Sequence, residues 1–290
     1  MYIMIMIHRK TYRVFKDEDR KLVYEDILND RGEIVSFKDY QSPNEAEGFN
    51  EYSTDNLLVK EREVIDGVES SRTEYQYNSN GDIINRKLYV ASELFEEVRY
   101  EYLEQGLIKR TYQHGEEIER MVEKVDQEKF TIEFSNGSEL SETHVGAYDA
   151  QTLVERVKIT DNKGQILAIK HQQFDEFDNL LKYEERNGNG NLMVLAEYKY
   201  ENGNVVYERH ENYFNDRHYQ VFYEYDVNDN LVGTEIKSPS GKLLEYQKQI
   251  YDDQNRIINE SGFSVGSFNA VYGTYINGEN YVFEHVYEEK

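Results

Sequence analysis

YEYDVNDNLV, residues Tyr223–Val232, sets two tyrosines on alternate positions, passes through a run of Asp and Asn, and leaves in two aliphatics. Tyr223 and Tyr225 on either side of Glu224 follow the two-residue period of a strand with one covered face. Asp226, Asn228, Asp229 and Asn230 are residue types that bond their own backbone in tight turns and tolerate positive φ. The stretch therefore predicts a strand, a reversal and the start of a second strand, which is one β-hairpin.

The pattern recurs along the chain. YQYNSNGDII (Tyr75–Ile84), YKYENGNVV (Tyr198–Val206) and IYDDQNRII (Ile250–Ile258) repeat the alternating pair, the polar turn and the apolar exit. Turn residues Gly32, Asn56, Gly81 and Gly106 stand at intervals of about 25 residues, as do Gly164, Gly190, Asp216 and Gly241, with Asn179, Gly203, Asn230, Asn255 and Gly278 interleaved. A unit of that length holds two strands and two turns. It cannot bury its own apolar face and must stack on its neighbours. The prediction is an all-β chain, an antiparallel meander of tandem β-hairpin repeats of about 25 residues, forming a single array over 1–290 and a strongly twisted or curled elongated sheet. Roughly twenty strands at about 4.8 Å each would make an open sheet on the order of 100 Å wide, so curling is expected to turn tyrosines and aliphatics toward an interior. The spacing stretches between Gly106 and Gly137, and an irregular insertion is expected near 122–149. The opening MYIMIMIHRK reads as a first strand, because its apolar run is short, its basic residues follow that run, and no small-residue cleavage site comes next.

YEYDVNDNLV, YQYNSNGDII, QFDEFDNLL (Gln173–Leu181) and IYDDQNRIINES (Ile250–Ser261) resemble the YD repeats of Rhs-type proteins. In that family an aromatic pair, a polar turn and an aliphatic pair recur along a β-sheet shell. The resemblance touches most of the chain at the level of the repeat. The DPxGL-like signature that ends an Rhs core is not found, so self-cleavage and carriage of a toxin domain are not implied.

Composition narrows the partner. The 57 acidic and 33 basic residues give a net charge of −24, which repels nucleic acid and favours a basic protein. With no cysteine, disulfides, thiolate metal sites and thiol nucleophiles are excluded, and a reducing compartment is the fitting one. No run is long enough to cross a bilayer, so a cytoplasmic protein without membrane contact is expected.

Candidate chemistry is thin. DVNDNLVGTE places Asp226, Asn228 and Asn230 at calcium-loop spacing, but Leu231 stands where the loop needs glycine and Lys237 where it needs a bidentate carboxylate. A hairpin turn is the better reading. His210 and His218 flank a turn near Asn215 and Asp216 and could approach across a hairpin, with Glu208 and Glu211 close by, but polar strand surface is the better reading. Gly188 and Gly190 lie between strands, away from any helix start that would cradle a phosphate. No enzyme, cofactor or metal site is expected. The expected function is a non-enzymatic protein-binding module. Within that class, resemblance to repeats of toxin systems implies an intracellular immunity or antitoxin protein that occludes a basic toxin domain. A structural YD-repeat scaffold and a carbohydrate-binding sheet are the alternatives, the latter requiring exposed aromatics gathered in one groove. The contact residues are expected between Glu208 and Asp226: Glu211, Tyr213, Asp216, Tyr219, Glu224 and Asp226.

Overall fold

In the computed structural model the chain forms twenty-two strands. The structure describes residues 6–15, 19–41, 44–269 and 274–289, apart from the side chains of 264–269 and 274–279. The strands are β1 (Ile7–Val14), β2 (Arg20–Leu28), β3 (Ile34–Asp39), β4 (Ala46–Tyr52), β5 (Leu58–Ile65), β6 (Val68–Tyr77), β7 (Ile83–Val90), β8 (Glu93–Leu103), β9 (Gly106–Gln113), β10 (Glu116–Asp126) and β11 (Lys129–Asn136). They continue as β12 (Glu139–Asp149), β13 (Val154–Asp161), β14 (Ile166–Phe174), β15 (Leu180–Asn187), β16 (Leu192–Glu201), β17 (Asn204–Asn212), β18 (Arg217–Tyr225), β19 (Leu231–Lys237), β20 (Leu243–Tyr251), β21 (Ile257–Asn269) and β22 (Thr274–Glu289). Each pairs antiparallel with the strand before it and the strand after it.

The last strand then pairs with the first, from Ile7↔Glu289 to Arg13↔Phe283. The meander is thus a closed barrel, which corrects the twisted or curled elongated sheet expected from the sequence. Its cause is visible in the register, which slips near the turn in pair after pair: at Glu51/Tyr52, Gln76/Tyr77, Gln173/Phe174 and Glu224/Tyr225. A bulge adds twist and bends the strand that carries it, and bulges recurring in most of the strand pairs accumulate until the two edges meet. Closure also removes both exposed edges.

Turns after even-numbered strands form one rim, here called lower, and turns after odd-numbered strands form the upper rim. Twenty-two strands at about 4.8 Å, tilted by about 40°, would make a circular ring about 45 Å across. The accessible surface is 18505 Å², against roughly 13,000 Å² for a compact monomer of this mass. The excess is the signature of a single hollow layer exposed on both faces.

Directly opposed residues share a face, so rows can be followed around the ring. The buried side chains Val98, Val157, Ile159, Ala168, Ala196 and Val221 all fall on the same face. Side chains converge on the concave side of a curved sheet and splay on the convex side, which makes this the lumenal face. Glycine makes room where rings cross it. At Gly146, opposite Phe130, any Cβ would run into the Phe130 ring.

The recurring tyrosine and aspartate have defined jobs at the lower rim. The carboxylate of Asp226 accepts the backbone N–H groups of Asn228 (2.8 Å) and Asn230 (2.9 Å), while Asp229 takes a φ of 63° that completes the reversal. Asp175 and Asp252 repeat the cap. The last tyrosine of an even strand donates its hydroxyl to the carbonyl that opens the preceding strand: Tyr52 to Ile34 (3.1 Å), Tyr77 to Leu58 (2.6 Å), Tyr200 to Leu180 (3.0 Å) and Tyr251 to Leu231 (3.0 Å). Successive turns are also tied directly, Asn230 Nδ2 donating to Asn255 Oδ1 at 3.1 Å.

In place of the insertion expected at 122–149 the chain runs through β10, β11 and β12, joined by two-residue turns. Longer strands and shorter turns displaced the glycines. Gly278 lies inside β22 and marks no turn, and Met1–Ile5 fall outside the described residues.

The closing seam is built differently. Arg9 grips Asp26 through two hydrogen bonds, Nε to Oδ1 at 3.1 Å and Nη2 to Oδ2, with the Asp26 side chain fully buried. Beside them Thr11 Oγ1 and His285 Nδ1 are 3.0 Å apart, and Val23, Tyr281 and Phe283 form an apolar cluster. Burial, followed by the Arg9 charge, pulls the His285 pKa down to about 4.

Candidate functional site, the lumenal face

The two faces handle charge differently. On the outer face acids meet cations on their own or a neighbouring strand: Lys38 with Glu47 (3.0 Å), Lys60 with Glu51 (3.1 Å), Arg99 with Glu97 (2.8 Å), Arg110 with Glu101 (3.0 Å) and Arg186 with Glu184 (2.9 Å). The guanidinium of Arg99 holds the Glu97 carboxyl below the usual range. Arg62, Arg72, Lys87, Arg99 and Arg209 sit midway along outer-facing strands. They interrupt the apolar band, about 25 Å tall, that a bilayer-spanning barrel turns toward lipid.

On the lumenal face Arg9 and Arg86 are engaged by Asp26 and Glu96. Lys109 and Lys170 also fall on this face, Lys170 opposite Glu185, and several of the more numerous carboxylates accept hydrogen bonds from neutral donors. Tyr75 donates to Glu61 (2.7 Å), Tyr183 to Glu185 (2.6 Å), Tyr223 to Glu208 (3.2 Å) and Gln172 to Glu155 (2.6 Å). Burial, and then the adjacent carboxylate, push the Tyr75, Tyr183 and Tyr223 phenols well above their ordinary range, so they remain donors. A neutral donor satisfies a carboxylate without cancelling its charge. The lumen is therefore the acidic face.

Among the described residues, two of the pockets that open on it are built alike. The first, about 510 Å³, spans β17 to β20, where Glu208, Val221, Ile236 and Glu245 lie in one cross-strand row, carboxylates at its ends and aliphatics between. Tyr219 and Tyr223 wall it, and Tyr219 stacks on His210 with ring centroids 5.0 Å apart. The second, about 410 Å³, spans β10 to β13, with Val125, Phe130 and Ile132 as floor and Glu123, Tyr148 and Glu155 around it. Each pocket is lined by three carboxylates and one cation: Glu208, Asp216 and Glu245 with Arg217, and Glu123, Glu128 and Glu155 with Lys129.

The six contact residues read from the sequence are not brought together. Asp216 and Tyr219 line the first pocket. Glu211 and Glu224 face outward, as their pairing with His218 and Gly233 shows. Tyr213 sits in the upper turn and donates to Glu211 at 2.7 Å, a bond that, helped by Arg209 and against the opposing effect of burial, sets the Glu211 carboxyl low. Asp226 is at the opposite rim, committed to its own turn, so the calcium-loop spacing is turn capping. His210 faces the lumen while His218 faces outward and contacts Asp216 at 3.2 Å, so these imidazoles do not converge on one site. The residues the sequence reading missed, Glu123, Phe130, Glu155 and Glu245, become neighbours only through cross-strand register.

No protein-family model matches the chain, and no curated protein matches it. Among solved structures it is similar to a porin-like protein from Bacteroides uniformis, at 8% identity and a TM-score of 0.36, over 98% of this chain and 97% of that one. It is also similar to the Tc holotoxin pore of Photorhabdus luminescens, at 12% identity and a TM-score of 0.23, over 89% of this chain and 18% of that one. A protein of unknown function from Bacteroides fragilis aligns at 15% identity and a TM-score of 0.21, over 48% of this chain and 91% of that one. At these identities and TM-scores no property of those proteins carries over to this chain.

Proposed function

We propose that the protein is a non-enzymatic binding ring that holds a basic polypeptide against its lumenal face. The observation behind this is a bias of charge: many outer acids pair with cations, whereas the lumenal acids Glu61, Glu155, Glu185 and Glu208 bond to neutral tyrosine and glutamine donors. Uncancelled carboxylates on a concave surface attract a cationic chain at long range, and tyrosine gives it rigid contact area at low entropic cost. A basic toxin domain is the polypeptide that the YD-like repeats favour by resemblance, which makes the ring an immunity or antitoxin protein acting in the cytoplasm. A carbohydrate groove fits less well, because the tyrosine hydroxyls are already bonded to carbonyls and carboxylates.

The test is fluorescence anisotropy with a labelled oligolysine peptide at low and high salt. Binding at low salt that fades as ionic strength rises is expected. It should weaken in the lumenal variant Glu61→Gln/Glu63→Gln and be unchanged in the outer-face variant Glu133→Gln/Glu224→Gln. Equal weakening in both variants would show that the peptide reads net charge and would sink the lumenal assignment.

A further inference from the structure

The two lumenal pockets share a plan that net charge alone does not require. Each has an aliphatic or aromatic floor, a tyrosine wall, and carboxylates at its margin that outnumber the single resident cation. In the β17–β20 pocket the carboxylates of Glu208 and Glu245 are three strands apart, about 14 Å along the row, with Val221 and Ile236 between them. That arrangement matches neither a small inorganic cation, which needs converging oxygens within one coordination shell, nor an apolar ligand, which would leave the carboxylates without a counter-charge.

We propose that each pocket seats a lysine or arginine side chain of the polypeptide held in the lumen, an inference that rests on the binding-ring reading above. The aliphatic stem lies across the floor, Val221 and Ile236 in one pocket and Phe130 and Ile132 in the other. The charged head reaches a carboxylate at the margin, Glu208 or Glu245, and Glu123 or Glu155. Long cationic side chains bury their methylene stems in this way while the head keeps polar company. The facing tyrosine rings add cation–π attraction. The pockets then fix the register of a chain that the general lumenal field only attracts.

The experiment compares oligolysine with a peptide of equal length built from diaminobutyric acid, whose amine stays charged at neutral pH and whose stem, two methylenes shorter, does not span the floor. Wild-type protein should bind oligolysine about tenfold more tightly than the short-stemmed peptide, about 1.4 kcal/mol. Glu208→Gln/Glu245→Gln and Glu123→Gln/Glu155→Gln should each reduce that preference. Glu61→Gln/Glu63→Gln, which removes the same charge elsewhere in the lumen, should weaken both peptides alike and leave the preference intact. Circular dichroism and melting of each variant establish that it is folded. If wild type binds oligolysine with no stem preference, or all three variants behave alike, the pocket assignment fails while the binding ring stands. If wild type binds neither peptide, the binding ring itself fails. Displacement of oligolysine by spermidine at equal charge concentration would assign the pockets to free amines and overturn the polypeptide reading.

Discussion

Along the arc from β3 to β20 most strand side chains are half-exposed, and a hairpin is held by a turn cap and a tyrosine latch, both repeated from unit to unit. At the seam of β22, β1 and β2 the chemistry occurs once. Thr11, Asp26 and Phe283 are each 1% exposed, and an arginine–aspartate pair, a threonine–histidine contact and an apolar cluster lock together residues from the two ends of the chain. A repeat can propagate a sheet because every unit meets the same neighbour. It cannot specify where the sheet stops, so closure is assigned to residues outside the repeat. Specificity sits where the ring must recognise its own beginning.

Asp26→Ala should break this contrast most severely, because it strands the Arg9 charge in a buried site. A loss of about 3–5 kcal/mol in denaturant unfolding is expected, and a loss no larger than that of a latch mutation would mean the seam is no more specialised than the arc. The second effect is acid sensitivity. His285 titrates at about 4 in the folded ring against 6.5 in the unfolded chain, so the unfolded state binds more protons in between. Stability is full above pH 6.5 and should decline by roughly 3 kcal/mol as pH falls to 4. His285→Gln should flatten that decline in unfolding curves taken between these limits. If its profile matched wild type, the pH response would belong to carboxylates elsewhere.

Within the arc, Gly146→Ala forces a methyl group into the Phe130 ring and should cost about 1–3 kcal/mol. Phe130→Leu in the same chain should restore part of the loss. Tyr77→Phe is the smallest expected change. It removes one latch to the Leu58 carbonyl, worth about 1 kcal/mol in thermal unfolding. A loss several times larger would show that the lower-rim latches act cooperatively and would blur the distinction between arc and seam.

Hairpins and their period were legible in the sequence because turn chemistry is local. Asp226 and Asn230 perform in space the task their types announce four residues apart. Closure was not legible. The bulges at Glu51/Tyr52 and Glu224/Tyr225 are backbone events without a residue signature, and Arg9, Asp26 and His285 gain their meaning from contacts across the whole chain. The lumenal site was half legible. Alternation within β18 puts Tyr219, Val221 and Tyr223 on one side and Glu224 on the other, which could have been read directly. Placing Glu211 outward and Glu208 inward needs the register between β17 and β18, and bringing Glu245 to Glu208 needs two more pairings.

An even number of strands sends the chain back to the rim where it started. Ile7 stands opposite Glu289, so the first and last strands lie side by side with their outer ends on the same rim. Each hairpin turn is then topologically equivalent to the gap between those strands. A circular permutant that bridges Ile7 and Glu289 with a short linker and is cut at the 202–203 turn should rebuild the same ring. Its seam would then lie inside an unbroken chain, and the junction between β16 and β17 would become the one joined by pairing alone.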